Sequence, residues 1–255
     1  MTLQRLLAPL RRAIQDYNMI PPNSKIAVGV SGGKDSIALL ALLNAFKRFS
    51  DNPFELMGIT IDMGFKDVDY TPIQQYCDKN NINYVVKKTD IAEILFDVRK
   101  ESNPCSLCSK MRRGALNATM KEYGYDTLAL GHHSDDVIQT FLLSLFFEGR
   151  LSTFAPKSFM TKTQVSLIRP MIYIEERNVT ALVKSLELPV VFNPCPANKH
   201  TQRETMKELT DSLRAKYPDI NKRFASAIMH PERYNLWDKV ETLYNTQKNS
   251  PADEQ

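Results

Sequence analysis

Short β-branched, apolar runs recur along the chain at residues 25–30, 54–62, 83–89, 127–131 and 165–172. Each is bounded by turn residues and predicts a strand. Between them the apolar positions return every three or four residues. That spacing predicts helices over 3–20, 35–49, 71–80, 91–99, 109–123, 134–148 and 175–187. Pro21 and Pro22 stop the first, and Gly124 closes the fifth. Residues 189–192 form a short extended piece. A polar helical stretch runs from 202 to about 245, broken at Pro218 and Pro231, before a frayed tail.

Strands alternating with helices predict an α/β fold, a parallel sheet with helices on both faces. A helical C-terminal appendage follows. The expected divisions are an N-terminal helix in 1–24, the sheet domain in 25–200 and the helical region in 201–255. In such sheets ligands bind beyond the carboxyl ends of the strands, so the chemistry is sought just after each strand.

Composition narrows the classes. The 255 residues are 43% hydrophobic and 24% charged, ordinary for a globular protein. No run approaches the roughly 18 apolar residues of a membrane span. Arg11 and Arg12 interrupt the only apolar run near the start, so no export signal and a cytoplasmic location are expected. The net charge is only +4, but it is unevenly placed. From Arg99 to Lys121 six basic residues face one acid, and Arg150, Lys157, Lys162 and Arg169 cluster later. Both segments are solvated basic faces or phosphate contacts, with Arg112, Arg113, Arg150, Lys157 and Arg169 as candidates for RNA.

Three of the nine glycines fall in Gly29-Val30-Ser31-Gly32-Gly33-Lys34-Asp35-Ser36, after the first strand and opening a helix. Glycines let backbone amides approach a ligand, and a helix N-terminus favours an anion. Ser31 and Ser36 add hydroxyls and Lys34 adds charge. A Walker A loop would need glycine at Val28 and a hydroxyl residue at Asp35; a dinucleotide fingerprint would need glycine at Ser31. Neither applies. A second cluster, Gly131-His132-His133-Ser134-Asp135-Asp136, follows the fourth strand. Its aspartates either cap the helix, where the dipole favours them, or hold Mg²⁺.

The four cysteines are too few for a disulfide scaffold. Cys105-Ser106-Leu107-Cys108 precedes the predicted helix carrying Lys110, Arg112 and Arg113, a setting expected to lower thiol pKa values. Cys195 stands far along the chain. Three thiolates suit a 4Fe–4S cluster with one open iron able to carry sulfide. They suit structural zinc equally, because His200 completes a Cys₃His set, and spacing alone leans that way. Cys77 reads as a packed core thiol.

The segment Ser31–Ser36 resembles the PP-loop of the N-type ATP pyrophosphatases. With the C-x-x-C between the third and fourth strands, Gly-His-His-x-Asp-Asp and a late cysteine, the chain is similar to the TtcA family over about residues 1–230. That family makes 2-thiocytidine in tRNA. The resemblance implies an ATP-dependent tRNA sulfurtransferase that adenylates the 2-carbonyl oxygen of the base and replaces it with sulfur. It implies ATP on Ser31, Gly32, Gly33, Lys34, Asp35, Ser36, Asp62, Gly131 and His132, with Lys34, Asp35, Asp62 and Asp136 catalytic. It also implies Mg²⁺ and a 4Fe–4S cluster on Cys105, Cys108 and Cys195, which reverses the leaning toward zinc. Implied partners are tRNA, a sulfur donor (a cysteine desulfurase or free sulfide) and a second copy in a homodimer. One departure is that Cys195 is followed by Pro196-Ala197-Asn198, without the second late cysteine of well-known members. Three other readings stand beside it: a lysidine-synthetase-like ligase with zinc in its cysteines, a thiouridine-type sulfurtransferase with structural zinc, and a non-catalytic, zinc-stabilised RNA-binding protein.

Overall fold

A computed structural model describes residues 3–99, 104–192, 194–195, 202–234 and 236. Six strands form one sheet in the order β3-β2-β1-β4-β6-β5. They are β1 (Ser24–Gly29), β2 (Phe54–Asp62), β3 (Asn83–Lys88), β4 (Thr127–Ala129), β5 (Lys157–Met160) and β6 (Val165–Ile168). The first four and β6 pair in parallel. The α/β class expected from the sequence is therefore present.

Residues alternate between the two faces of the sheet. Ile26 and Val28 of β1 enter one core with Leu39, Leu40 and Leu43, while Ala27 enters the other with Met57, Ile59, Ile61 and Leu128. Both faces are covered, as a parallel sheet requires. The helices are α1 (Leu3–Asp16), α2 (Lys34–Phe46), α3 (Thr71–Lys79), α4 (Ile91–Glu93), α5 (Pro104–Glu122), α6 (Ser134–Glu148), α7 (Glu176–Ser185), α8 (Gln202–Lys216) and α9 (Ile220–Met229). Among the described residues, no helix is long and apolar enough to cross a membrane. Cys77 is fully buried in the first core, as expected of a packing thiol.

Three expectations need correction. The sheet is not wholly parallel, because β5 pairs antiparallel with β6 at the edge. Its four residues, Lys157-Ser158-Phe159-Met160, half-buried except for the exposed Phe159, are too short and mixed to announce a strand. The expected strand 165–172 ends at Ile168; Pro170 lacks the amide needed to continue the ladder. The helix expected at 91–99 is one turn of α4 that widens into a π-helical turn over Ile94–Val98. Residues 189–192 are neither helix nor strand, and the Val191 amide donates to the Gly32 carbonyl at 2.9 Å.

The chain forms two compact units, Met1–Ser212 and Leu213–Gln255. In the second, α9 runs into a short 3₁₀ turn at Pro231–Arg233, and the Tyr234 hydroxyl donates to the Ala227 carbonyl at 2.7 Å. The helical expectation beyond 236 lies outside the described residues.

Candidate active site

The glycine-rich loop closes on its own hydroxyls. Ser36 Oγ accepts from the Ser31 amide at 3.1 Å and donates to the Gly33 carbonyl at 2.9 Å. Ser31 Oγ lies 3.2 Å from Ser36 Oγ and accepts from the Gly33 amide at 3.3 Å. Gly32 has φ +84°, a left-handed conformation that a side chain would strain. Gly33 is the N-cap of α2 and has no side-chain cap, which leaves the first amides of that helix for a ligand.

The second motif presses directly against this loop. A Cβ on Gly131 would lie 2.9 Å from the carbonyl carbon and oxygen of Asp35. Only glycine allows the end of β4 to approach α2 so closely. His133 is 3% exposed beneath the junction. Its Nε2 lies 3.3 Å from Asp136 Oδ2 and 3.7 Å from Asp35 Oδ1, so two carboxylates straddle one imidazole. The adjacent aspartates divide the work. Asp135 is buried, and its Oδ2 accepts from the Glu176 amide at 2.8 Å, at the start of α7. Asp136 accepts from the His133 amide at 3.0 Å and faces the cavity described below.

Lys34 points elsewhere. Its Nζ lies 2.8 and 3.0 Å from the two Asp35 oxygens and 3.0 Å from Glu176 Oε1, which also takes Lys207 Nζ at 3.1 Å. Burial alone would lower the Lys34 pKa, but the hydrogen bonds to Asp35 and Glu176 hold it above 10.5. Burial alone would raise the Glu176 carboxyl; its bonds from Lys34 and Lys207 instead hold it at about 2.

A cavity of about 990 Å³ opens beyond the carboxyl ends of the strands. Ser31, Asp35, Ser36, Gly131, His132 and Asp136 line its polar side; Cys105, Cys108 and Cys195 also line it. Ile59, Ile61, Met63, Phe65 and Phe96 supply an apolar stretch of wall. Arg112, Arg113 and Arg169 face the same space. Arg169 is buried: its guanidinium donates to the Ala155 carbonyl at 2.6 Å and to His132 Nδ1 at 3.2 Å, and lies over the Phe154 ring. Burial, with Arg113 adding, pushes its pKa down to about 10. Burial likewise pushes His132 down to about 4, with Arg169, Arg203 and His133 acting against the pull of Asp136, so this imidazole is neutral at pH 7.

Asp62, Arg150 and Lys157, also named from the sequence, stand apart from the cavity wall. Asp62 ends β2 and turns its carboxylate to the Gly64 amide at 3.0 Å. Arg150 pairs with Glu148 at 2.6 Å on the surface, and Lys157 donates to the Asn18 carbonyl at 2.5 Å.

The cysteine segment differs from expectation in two respects. Cys105 and Cys108 are the second and fifth residues of α5, which begins at Pro104, rather than preceding the helix. Burial pushes the Cys108 thiol up rather than down, against the nearby Arg112 and with Cys195 and Cys105 adding to the rise. The three cysteines line the same cavity. Among the described residues, no three His, Cys, Asp or Glu side chains stand in a metal-ligating arrangement. The donor chemistry fits an iron–sulfur cluster, and ligation requires the thiols to draw together. His200 lies outside the described residues.

The sequence motifs include His133 but single out neither Glu176 nor Arg203. His133 carried the signal of its motif; Glu176 and Arg203 sit in ordinary polar helix surfaces and carried none. Arg203, on α8, lines the cavity and reaches Asp136 Oδ1 at 3.2 Å.

A family model described as a PP-loop domain matches residues 4–212. The tRNA-cytidine(32) 2-sulfurtransferase of Citrifermentans bemidjiense is 34% identical over 231 residues, 89% of this chain and 91% of that protein. Its counterpart in Geotalea daltonii is 35% identical over 239 residues, 92% and 95% of the two chains. Among solved structures, the U34-tRNA thiolase NcsA from Methanococcus maripaludis with its 4Fe–4S cluster superposes with a TM-score of 0.73 at 26% identity, covering 92% of this chain and 80% of that one. The loop that fails both commoner nucleotide patterns, and the aspartate and thiols that meet it in one cavity, thus have a common explanation: the chain belongs to the PP-loop tRNA sulfurtransferases, the family of the tRNA-cytidine(32) 2-sulfurtransferases.

Proposed function

We propose that this protein adenylates the 2-carbonyl oxygen of a cytidine base in tRNA and replaces that oxygen with sulfur. One observation carries the reading: the PP-loop, Asp136 and all three candidate cluster cysteines open onto a single cavity. An adenylated base formed at the loop need not travel to meet sulfur.

ATP binds with its phosphates at Ser31–Ser36 and its nucleoside toward Asp62, beside Gly131 and the neutral His132. The base enters splayed out of the tRNA loop, as single-stranded RNA targets are read. Its carbonyl oxygen attacks the α-phosphorus, and the bond to pyrophosphate breaks. Lys34 exchanges Glu176 for the phosphates and offsets charge on the leaving pyrophosphate. A sulfide-level nucleophile then adds at C2, the C2–O bond breaks, and AMP leaves with the former carbonyl oxygen. No electrons change hands when sulfur arrives at that oxidation level.

Asp35 and Asp136 form a pair of oxygen donors suited to Mg²⁺, which supplies charge on the triphosphate. Cys105, Cys108 and Cys195 would hold the 4Fe–4S cluster, which supplies a carrier for sulfur when bound. Arg112, Arg113 and Arg169 then serve the RNA at the reacting base, and Arg150 and Lys157 its outer phosphates. Binding through these cations weakens steeply with salt. The sulfur donor is a cysteine desulfurase or free sulfide. The protein acts in the cytoplasm and as a homodimer.

The test is iron and acid-labile sulfide on protein purified without oxygen, followed by AMP release with tRNA. Roughly four irons with matching sulfide, lost in air, and tRNA-dependent AMP are expected. One zinc without sulfide would remove the cluster from the mechanism. AMP without thiolated cytidine would favour the ligase reading.

A further inference from the structure

The nucleotide side of the cavity holds its charges in pairs. Lys34 is held by Asp35 and Glu176, and Asp136 by Arg203. Arg203 and Lys207, which joins the first group through Glu176, both come from α8 and stand one helical turn apart. Arg203 is the member that already faces the ligand space. It lines the cavity with Asp136, and its Nη2 donates to Thr140 Oγ1 at 3.2 Å. Its side chain remains 44% exposed, so it is not locked into the core.

An arginine fork matches phosphate oxygens as well as it matches a carboxylate. A triphosphate entering this space brings several negative charges, and its Mg²⁺ competes for Asp136. Both changes loosen the Asp136–Arg203 pair while offering the guanidinium a stronger anion. We propose that Arg203 is a further ATP-binding residue: paired with Asp136 before nucleotide binds, it transfers to the β- and γ-phosphates when Mg²⁺–ATP arrives. This rests on the proposal that ATP is bound at Ser31–Ser36. It adds α8 to the elements that read the nucleotide.

The alternative is that Arg203 only positions Asp136, and a double-mutant cycle separates the two. Binding of ATP, pyrophosphate and AMP is measured with Mg²⁺ on the full chain for wild type, R203A, D136A and R203A/D136A. R203K and thermal melting report on folding. R203A is expected to weaken ATP and pyrophosphate at least tenfold while leaving AMP unchanged, with R203K recovering part of the loss. The further loss must persist in the D136A background, because a phosphate contact does not need Asp136. An R203A change that disappears in D136A, or that falls equally on AMP, overturns the proposal. Wild-type protein that binds no ATP would overturn the PP-loop reading itself; wild-type binding with an unaffected R203A removes Arg203 alone.

Discussion

The Lys34 ammonium lies 3.0 Å from Glu176 Oε1, so the lysine of the phosphate loop is tied to the start of α7 rather than extended into the cavity. Both side chains are mostly shielded from water, at 31% and 21% exposure. Replacing Glu176 with Gln should cost about 1 kcal/mol at pH 7, near the upper end for an accessible pair. The pH dependence has a definite sign. The Glu176 carboxyl is held at about 2 against an ordinary 4.5, so its contribution is present above pH 4.5 and lost as pH falls through about 2. Lys34 is shifted upward, so its contribution is present below pH 10.5 and lost as pH rises through its folded value. Urea denaturation of E176Q and wild type from pH 2 to 7 checks the acid limb, which should be shallower in the variant. Superimposable curves would show that the pair does not stabilise the fold.

Gly131 tests the seam between the two nucleotide motifs. Its missing Cβ would stand 2.9 Å from the Asp35 backbone, which cannot yield as a flexible side chain does. Gly131→Ala should therefore destabilise by about 1–3 kcal/mol, the usual range for overpacking, and should weaken ATP binding by displacing the loop. Thermal melting with ATP titration measures both. Wild-type values for each would mean that the seam opens freely.

His132 gives a second pH signature. Its imidazole is pushed to about 4 in the folded protein, whereas the unfolded chain takes up a proton near the ordinary 6.5. The unfolded state then binds more protons between these values, so stability falls as pH drops from 6.5 to 4. His132→Asn should flatten that limb. An imidazole NMR titration with a midpoint near 6.5 would contradict the neutral, half-buried state inferred from its contacts with Arg169 and Phe154.

Lys34 and Cys195 should separate the two half-reactions. Lys34→Ala should lower tRNA-dependent AMP release by about 100- to 1,000-fold, as loss of a charge-stabilising group does, and leave the iron content intact. Cys195→Ala should do the reverse, retaining ATP binding while losing 2-thiocytidine. Quantifying iron, AMP and modified nucleoside on the same preparations checks both. Full thiolation by the cysteine variant would take Cys195 out of the site.

Much of the chemistry was legible in local order. The SGGKDS loop, the Gly-His-His-Ser-Asp-Asp turn and the C-x-x-C each occupy a few consecutive residues whose types match one task. The strands that carry them announce themselves by apolar runs, because both faces of a parallel sheet are buried. The weaker signals failed where local preference is overruled by neighbours. β5 is held by its antiparallel partner β6, not by its own composition. The Cys108 thiol, placed beside basic residues in the sequence, is raised because burial outweighs Arg112.

The sequence by itself determined the fold class, the family and the residue types that meet ATP and sulfur, since these reside in contiguous motifs and periodicity. Only the tertiary structure decided which charges are paired. Asp136 with Arg203 spans 67 residues of chain, and Lys34 meets Glu176 from a different helix. Adjacent Asp135 and Asp136 are chemically alike, yet one anchors the start of α7 and the other faces the cavity. Their roles follow from direction and burial, and those are set by how distant helices pack around the sheet rather than by any pattern along the chain.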